Sequence, residues 1–140
     1  MQKIVIDTNV LVSGLIQQGY PYLIVNNLFI EQKISLCVSY ELLAEYYEVL
    51  KRKKFSRYPD FLSKAESLLA QIETKSITYT PKFNLDIISD KDDNKLLELA
   101  SESNANFLIT GNTNDFTMKK YRRTSIVSPK DYWNSYKPKN

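Results

Sequence analysis

The chain has 140 residues, 43% hydrophobic and 25% charged, with a net charge of +3, the balance of a globular protein with one sizeable core rather than a disordered chain. It carries no histidine and a single cysteine, Cys37, which excludes an internal disulfide, a cysteine zinc cluster, a Ser-His-Asp triad and any histidine base. No apolar run reaches the ~20 residues of a membrane span, and the opening MQKIVIDTNV interrupts its apolar stretch with charge, unlike a signal peptide. One domain spanning 1–140, in the cytoplasm and with no membrane partner, is the expectation.

In chain order, KIVI (3–6) predicts a short buried parallel strand. Asp7, Thr8 and Asn9 end it, and VLVSGLI continues as a helix, so an acid stands at a strand-to-helix junction. A second helix is predicted over 22–31 and a second strand over 34–38, where Cys37 reads as an inert buried thiol. Ser39 is placed to cap the next helix, which runs to Leu50. Pro59 opens another helix, FLSKAESLLAQIE, and SITYT follows as a strand closed by Pro81. Asp90 begins a helix to about Glu102; then come the strand FLIT, a basic stretch, a short SIV strand and a last helical turn in SPKDYW. Strands alternating with helices predict an α/β domain, a three-layer α/β/α sandwich around a mostly parallel sheet.

Ligands of such sheets bind beyond the carboxyl ends of the strands. Asp7 follows the first strand and Asn112 follows FLIT, so neighbouring strands would bring the two together. On the helix 39–50, Leu42, Leu43, Tyr46, Val49 and Leu50 form an apolar stripe at ~100° per residue. Glu45 lies at its rim, with Glu41 and Glu48 farther round towards solvent. In SDKDDNKLLELA, Asp90 reads as the cap, while Asp92 and Asp93 both align with inward leucines.

Taken together, Asp7, Glu45 and Asp93 lie near buried surfaces without a consistently placed basic partner. Two carboxylates ~4 Å apart repel by roughly 4 kcal/mol at an effective dielectric near 20, so such a cluster needs protons, water or a cation. Oxygen-only ligands suit Mg²⁺ or Mn²⁺, and an ion held by carboxylates activates water against a phosphodiester. Two basic clusters would hold the strand's phosphates, with Phe55, Tyr58 and Tyr121 among them. The first is Lys51, Arg52, Lys53, Lys54 and Arg57; the second is Lys119, Lys120, Arg122 and Arg123. The constellation favours a metal-dependent nuclease.

The segments IVIDTNVLVSGL, SYELLAEYYEVLKRKKF, DKDDNKLLELASESNANFLITGN and IVSPKDYW, in that order, resemble the PIN-domain family over essentially the whole chain. Its resemblance is to the branch containing toxins of bacterial and archaeal toxin–antitoxin pairs. That implies a Mg²⁺- or Mn²⁺-dependent ribonuclease acting on RNA, a homodimer, and inhibition by a cognate antitoxin. By the same resemblance Asp7, Glu45 and Asp93 match the three metal-binding acids and Asn9 the polar residue beside the first. Thr8, Asp92 and Thr110 fall beside these positions as supporting groups. The fourth position, commonly Asp, is Asn112 here. Its amide keeps a carbonyl oxygen but removes a charge, which weakens a metal site. Asp115, three residues on, would supply the missing carboxylate if the loop folds back; the reading adopted keeps Asn112 in place with Asp115 behind it. Two rivals stand against the nuclease: a non-catalytic PIN-like scaffold for RNA or protein, motivated by Asn112, and a phosphoryl-receiving α/β domain, which the Thr-Gly-Asn junction and Glu45 fit poorly.

Overall fold

The structure is a computed structural model and describes residues 1–139. Six strands form one sheet in the order β3-β2-β1-β4-β6-β5. They are β1 (Lys3–Ile6), β2 (Ser35–Val38), β3 (Ile77–Thr78), β4 (Phe107–Ile109), β5 (Lys120–Tyr121) and β6 (Thr124–Val127). All pairings are parallel except β5 with β6. The helices are α1 (Thr8–Ile16), α2 (Tyr20–Leu23), α3 (Tyr40–Leu50), α4 (Phe61–Lys75), α5 (Lys91–Ser103) and α6 (Pro129–Asp131). The predicted three-layer α/β architecture is the one found.

Strand order decides where the helices go. The chain steps outward from β1 to β2 to β3, then returns across the sheet to β4 on the other side of β1. Right-handed crossovers therefore place the outward helices on one face and the returning α5 on the opposite one. Accordingly α1, α3 and α4 pack on one another, while α5 lies against β1, β2 and β4. The middle strands are covered on both sides: Ile4, Val5, Ile6, Leu108 and Ile109 have no solvent exposure.

Local chemistry fixes the helix ends that matter here. Ser39 Oγ accepts the Leu42 N–H at 3.1 Å, the expected cap of α3. Asp90 Oδ1 accepts from the N–H groups of Asp92 and Asp93 at 2.8 and 3.3 Å. Asn104, at φ 53°, turns the chain out of α5, a conformation Asn tolerates because its short side chain bonds locally.

Three expectations are adjusted. The strand predicted in SITYT is only Ile77–Thr78, an edge pair exposed at both residues. The predicted second helix is the short α2 running into a wider π-helical turn, Ile24–Phe29. The second basic cluster, read as a connecting stretch, builds a hairpin: Lys120 pairs with Ser125 and Tyr121 with Thr124. Arg122 at its tip adopts φ 52°.

Candidate functional site

Asp7 leaves β1 at the point where the strand order reverses, between β2 on one side and β4 on the other. Such a reversal opens a crevice beyond the strand ends, since the flanking connections leave to opposite faces. A cleft of about 360 Å³ lies there. Asp7, Thr8 and Asn9 line it from the start of α1, Ser39, Glu41 and Glu45 from the start and body of α3, Asp90, Asp92, Asp93 and Lys95 from α5, and Asn112 and Asp115 from the loop after β4.

The backbone pins Asp7 in place: its N–H donates to the Ile109 carbonyl at 3.0 Å. Asp7 occupies the N-cap position of α1, yet its side chain makes no geometric cap hydrogen bond and lines the cleft. Thr110, wholly buried, donates from Oγ1 to Asp7 Oδ2 at 2.8 Å and accepts the Asn112 N–H at 3.1 Å. One hydroxyl thus sets both the aspartate and the loop that carries Asn112. On the other side, buried Thr8 donates its hydroxyl to Glu45 Oε2. Tyr46, the next residue of α3 and fully buried, donates to the Ile6 carbonyl, tying the Glu45 helix to the end of β1.

Burial is the main force on the three acids. It raises the Asp7 carboxyl above its ordinary value, against the lowering effect of Thr110. It raises Glu45 likewise, opposed by Thr8 and reinforced by the negative charges of Asp92, Asp7 and Glu48. Asp93 is pushed up to about 6, by burial first and then by Asp90, Asp7, Asp115 and Asp92. Glu45 and Asp93 therefore both feel the charge of Asp7, and Asp7 feels that of Asp90. Seven carboxylates line the cleft (Asp7, Glu41, Glu45, Asp90, Asp92, Asp93 and Asp115) against one ammonium, Lys95. That formal imbalance of six negative charges is what a divalent cation with oxygen ligands would relieve. The donor set fits Mg²⁺ or Mn²⁺: carboxylates of Asp7, Glu45 and Asp93, and the Asn112 amide oxygen. As placed, no three acid side chains among the described residues converge closely enough to grip one ion, so ligation would need side-chain rotation or intervening water.

The structure separates residues the helical wheel left tied. Asp93 is half-buried and Asp92 exposed, although both reach the cleft. Asp90 is the cap. Asn112 and Asp115 both line the cleft, because the single turn Thr113–Asp115 bends the loop back, and the Asp115 charge is felt at Asp93. The helical wheel places Glu41 towards solvent and gives Lys95 no role; both side chains are exposed, and they form an ion pair across the cleft, from α3 to α5. The available signal was spacing, since Glu41 stands four residues before Glu45 and so on the same helical face.

None of the nine basic residues of the two clusters lines the cleft. In the first cluster, Arg52 pairs with Glu48 at 2.7 Å, Lys51 lies 5.4 Å from the Tyr47 ring centre, Lys54 lies 5.2 Å from that of Phe55 and Arg57 5.0 Å from that of Tyr58. Phe55 itself stacks on Phe61 at 5.0 Å, so it serves the core and is no free platform for a base. In the second, Lys119 lies opposite Ile126, whereas Arg122 and Arg123 precede β6. Because β6 runs parallel to β4 with Val127 beside Ile109, these two arginines stand at the opposite edge of the sheet from Asp7, about 13 Å of strand away. Arg122 there bonds Ser101 Oγ at 2.8 Å.

A mostly parallel α/β sandwich with an acid-lined cleft at its switch point is shared by several enzyme classes. The comparisons narrow it: the PIN-domain family profile matches residues 3–114, and the chain belongs to that family. It is 30% identical over 139 residues to the uncharacterized protein MJ1680 of Methanocaldococcus jannaschii, covering 93% of this chain and 88% of that one. Its fold is also that of a chain in the crystal structure of VapBC2 from Rickettsia felis bound to a DNA fragment from their promoter. The TM-score is 0.58 at 18% identity, over 91% of this chain and 98% of the other. No helix among the described residues is long and apolar enough to cross a membrane.

Proposed function

We propose that this protein is a Mg²⁺- or Mn²⁺-dependent ribonuclease, the toxin of a toxin–antitoxin pair, acting as one domain and as a homodimer in the cytoplasm. The observation that carries the reading is that Asp7, Glu45, Asp93 and Asn112, from four separate segments of the chain, line one cleft. Membership of the PIN-domain family supports nuclease chemistry, and the likeness to a chain of VapBC2 supports the antitoxin partner.

Asp7, Glu45 and Asp93 would hold the metal, directly or through water, with Asn112 contributing its amide oxygen. When bound, such an ion supplies an activated water and neutralises charge developing on the phosphodiester. Thr110 and Thr8 orient the carboxylates of Asp7 and Glu45, each using one oxygen and leaving the other available. Lysines and arginines of the 51–57 and 119–123 clusters would follow the RNA backbone outside the cleft.

Asp7→Asn is expected to abolish metal-dependent cleavage of RNA while the far-ultraviolet circular dichroism stays unchanged. Full activity in a well-purified variant would sink the assignment. A second reading, a PIN-like scaffold that binds RNA or protein without cutting, is favoured by the Asn at position 112 and by the absence of three convergent acids among the described residues. Calorimetric titration separates the two, because the scaffold binds no Mn²⁺ at millimolar concentration.

A further inference from the structure

We infer that Lys95 is the residue that receives an RNA phosphate inside the cleft, and that Glu41 holds its ammonium there until the RNA displaces it. The inference rests on the nuclease reading above and adds a specific phosphate-binding residue to it. Its basis is the ion pair between Lys95 Nζ and Glu41 spanning α5 and α3, in a cleft where Lys95 is the one cation among the described lining residues.

Three observations point to ligand exchange rather than a structural tie. Both side chains are about half exposed, 48% for Lys95 and 61% for Glu41, and an exposed ion pair of this kind adds little to the stability of a fold. Lys95 lies two residues beyond Asp93 on α5, and Glu41 four residues before Glu45 on α3, and all four line the same cleft. Finally, the nine lysines and arginines of the surface clusters all stand outside the cleft. A phosphodiester entering a site with seven carboxylates needs a positive charge besides the metal, and lysine offers one as a mobile point charge on a flexible stem. Phosphate would take the place of the Glu41 carboxylate, and one anion would leave the ammonium as the other arrives.

The test measures binding of a fluorescein-labelled single-stranded RNA by anisotropy, with Ca²⁺ in place of Mg²⁺ and RNA integrity checked on gels, alongside steady-state cleavage in Mg²⁺. Lys95→Met should weaken binding about tenfold and flatten the plot of log affinity against log salt by about 0.7, the loss of one phosphate contact to a single strand. In cleavage it should raise KM more than it lowers kcat, and Lys95→Arg should restore most of the affinity. Glu41→Gln should tighten binding severalfold, and the double variant should match Lys95→Met, because Glu41 acts through Lys95. An unchanged affinity and salt slope in Lys95→Met would overturn the proposal. So would equal tightening by Glu41→Gln in the Lys95→Met background, which would make Glu41 a simple repulsive charge. If the unaltered protein cleaves no RNA with any divalent ion, the nuclease reading fails; cleavage with a silent Lys95 fails this inference alone.

Discussion

Replacing Asp93 with Asn removes a charge from the middle of the acid cluster without changing the size of the side chain. Its carboxyl is raised from 3.8 to about 6, so the folded protein holds a proton that the unfolded chain releases between those two values. The stabilising contribution is therefore complete below pH 3.8, is lost as pH rises to about 6, and is absent above it. The interval corresponds to about 3 kcal/mol at about 1.36 kcal/mol per pH unit. Because Asp93 is only half-buried, solvent screening discounts that to about 1 kcal/mol. The attraction of the α5 N-terminus for a negative charge, about 0.5 kcal/mol, works the other way. Without metal and above pH 7, Asp93→Asn should thus be more stable by about 0.5 kcal/mol, or about 2 °C in Tm for a chain of this length. The advantage should shrink between pH 6 and 4. Adding Mn²⁺ at ten times its Kd should lift the unaltered protein by about 1.4 kcal/mol, roughly 5 °C, and the variant by less, reversing the order. Differential scanning fluorimetry over pH 4 to 8, with chelator and then with Mn²⁺, reads all of this. A variant less stable by the same margin at every pH, with or without metal, would refute the electrostatic reasoning.

Other substitutions probe the rest of the site. Thr110→Val keeps the shape but removes the donor to Asp7 and the acceptor for the Asn112 N–H; it should lower stability by about 1–3 kcal/mol in urea unfolding and weaken Mn²⁺ binding in calorimetry. Asn112→Asp adds the charge that the loop lacks, so Mn²⁺ affinity should rise, while metal-free Tm should fall through added repulsion. Tyr46→Phe deprives the Ile6 carbonyl of its buried donor, which should cost about 1–2 kcal/mol and lower Tm by about 3–7 °C.

Local pattern was enough for much of this protein. KIVI, the Ser39 cap, the amphipathic run to Leu50 and the Asp90 cap are written in side-chain type and spacing, and alternating strands and helices imply a parallel sheet with its ligand edge beyond Asp7 and FLIT. The resemblance of the ordered motifs, rather than periodicity, singled out Glu45 and Asp93 among their neighbours. Other matters were decided only by tertiary structure. Helical spacing describes one helix against its own apolar face and says nothing about what another helix brings opposite, so the pairing of Glu41 with Lys95 was invisible in sequence. A cluster of like charges in sequence likewise carries no direction. It took the parallel register of β6 with β4 to put Arg122 and Arg123 at the far edge of the sheet from the acids. The same packing gave Thr110 its place: one buried hydroxyl meets both Asp7 and Asn112 only because β1 and β4, a hundred residues apart in the chain, lie side by side where the order of strands reverses.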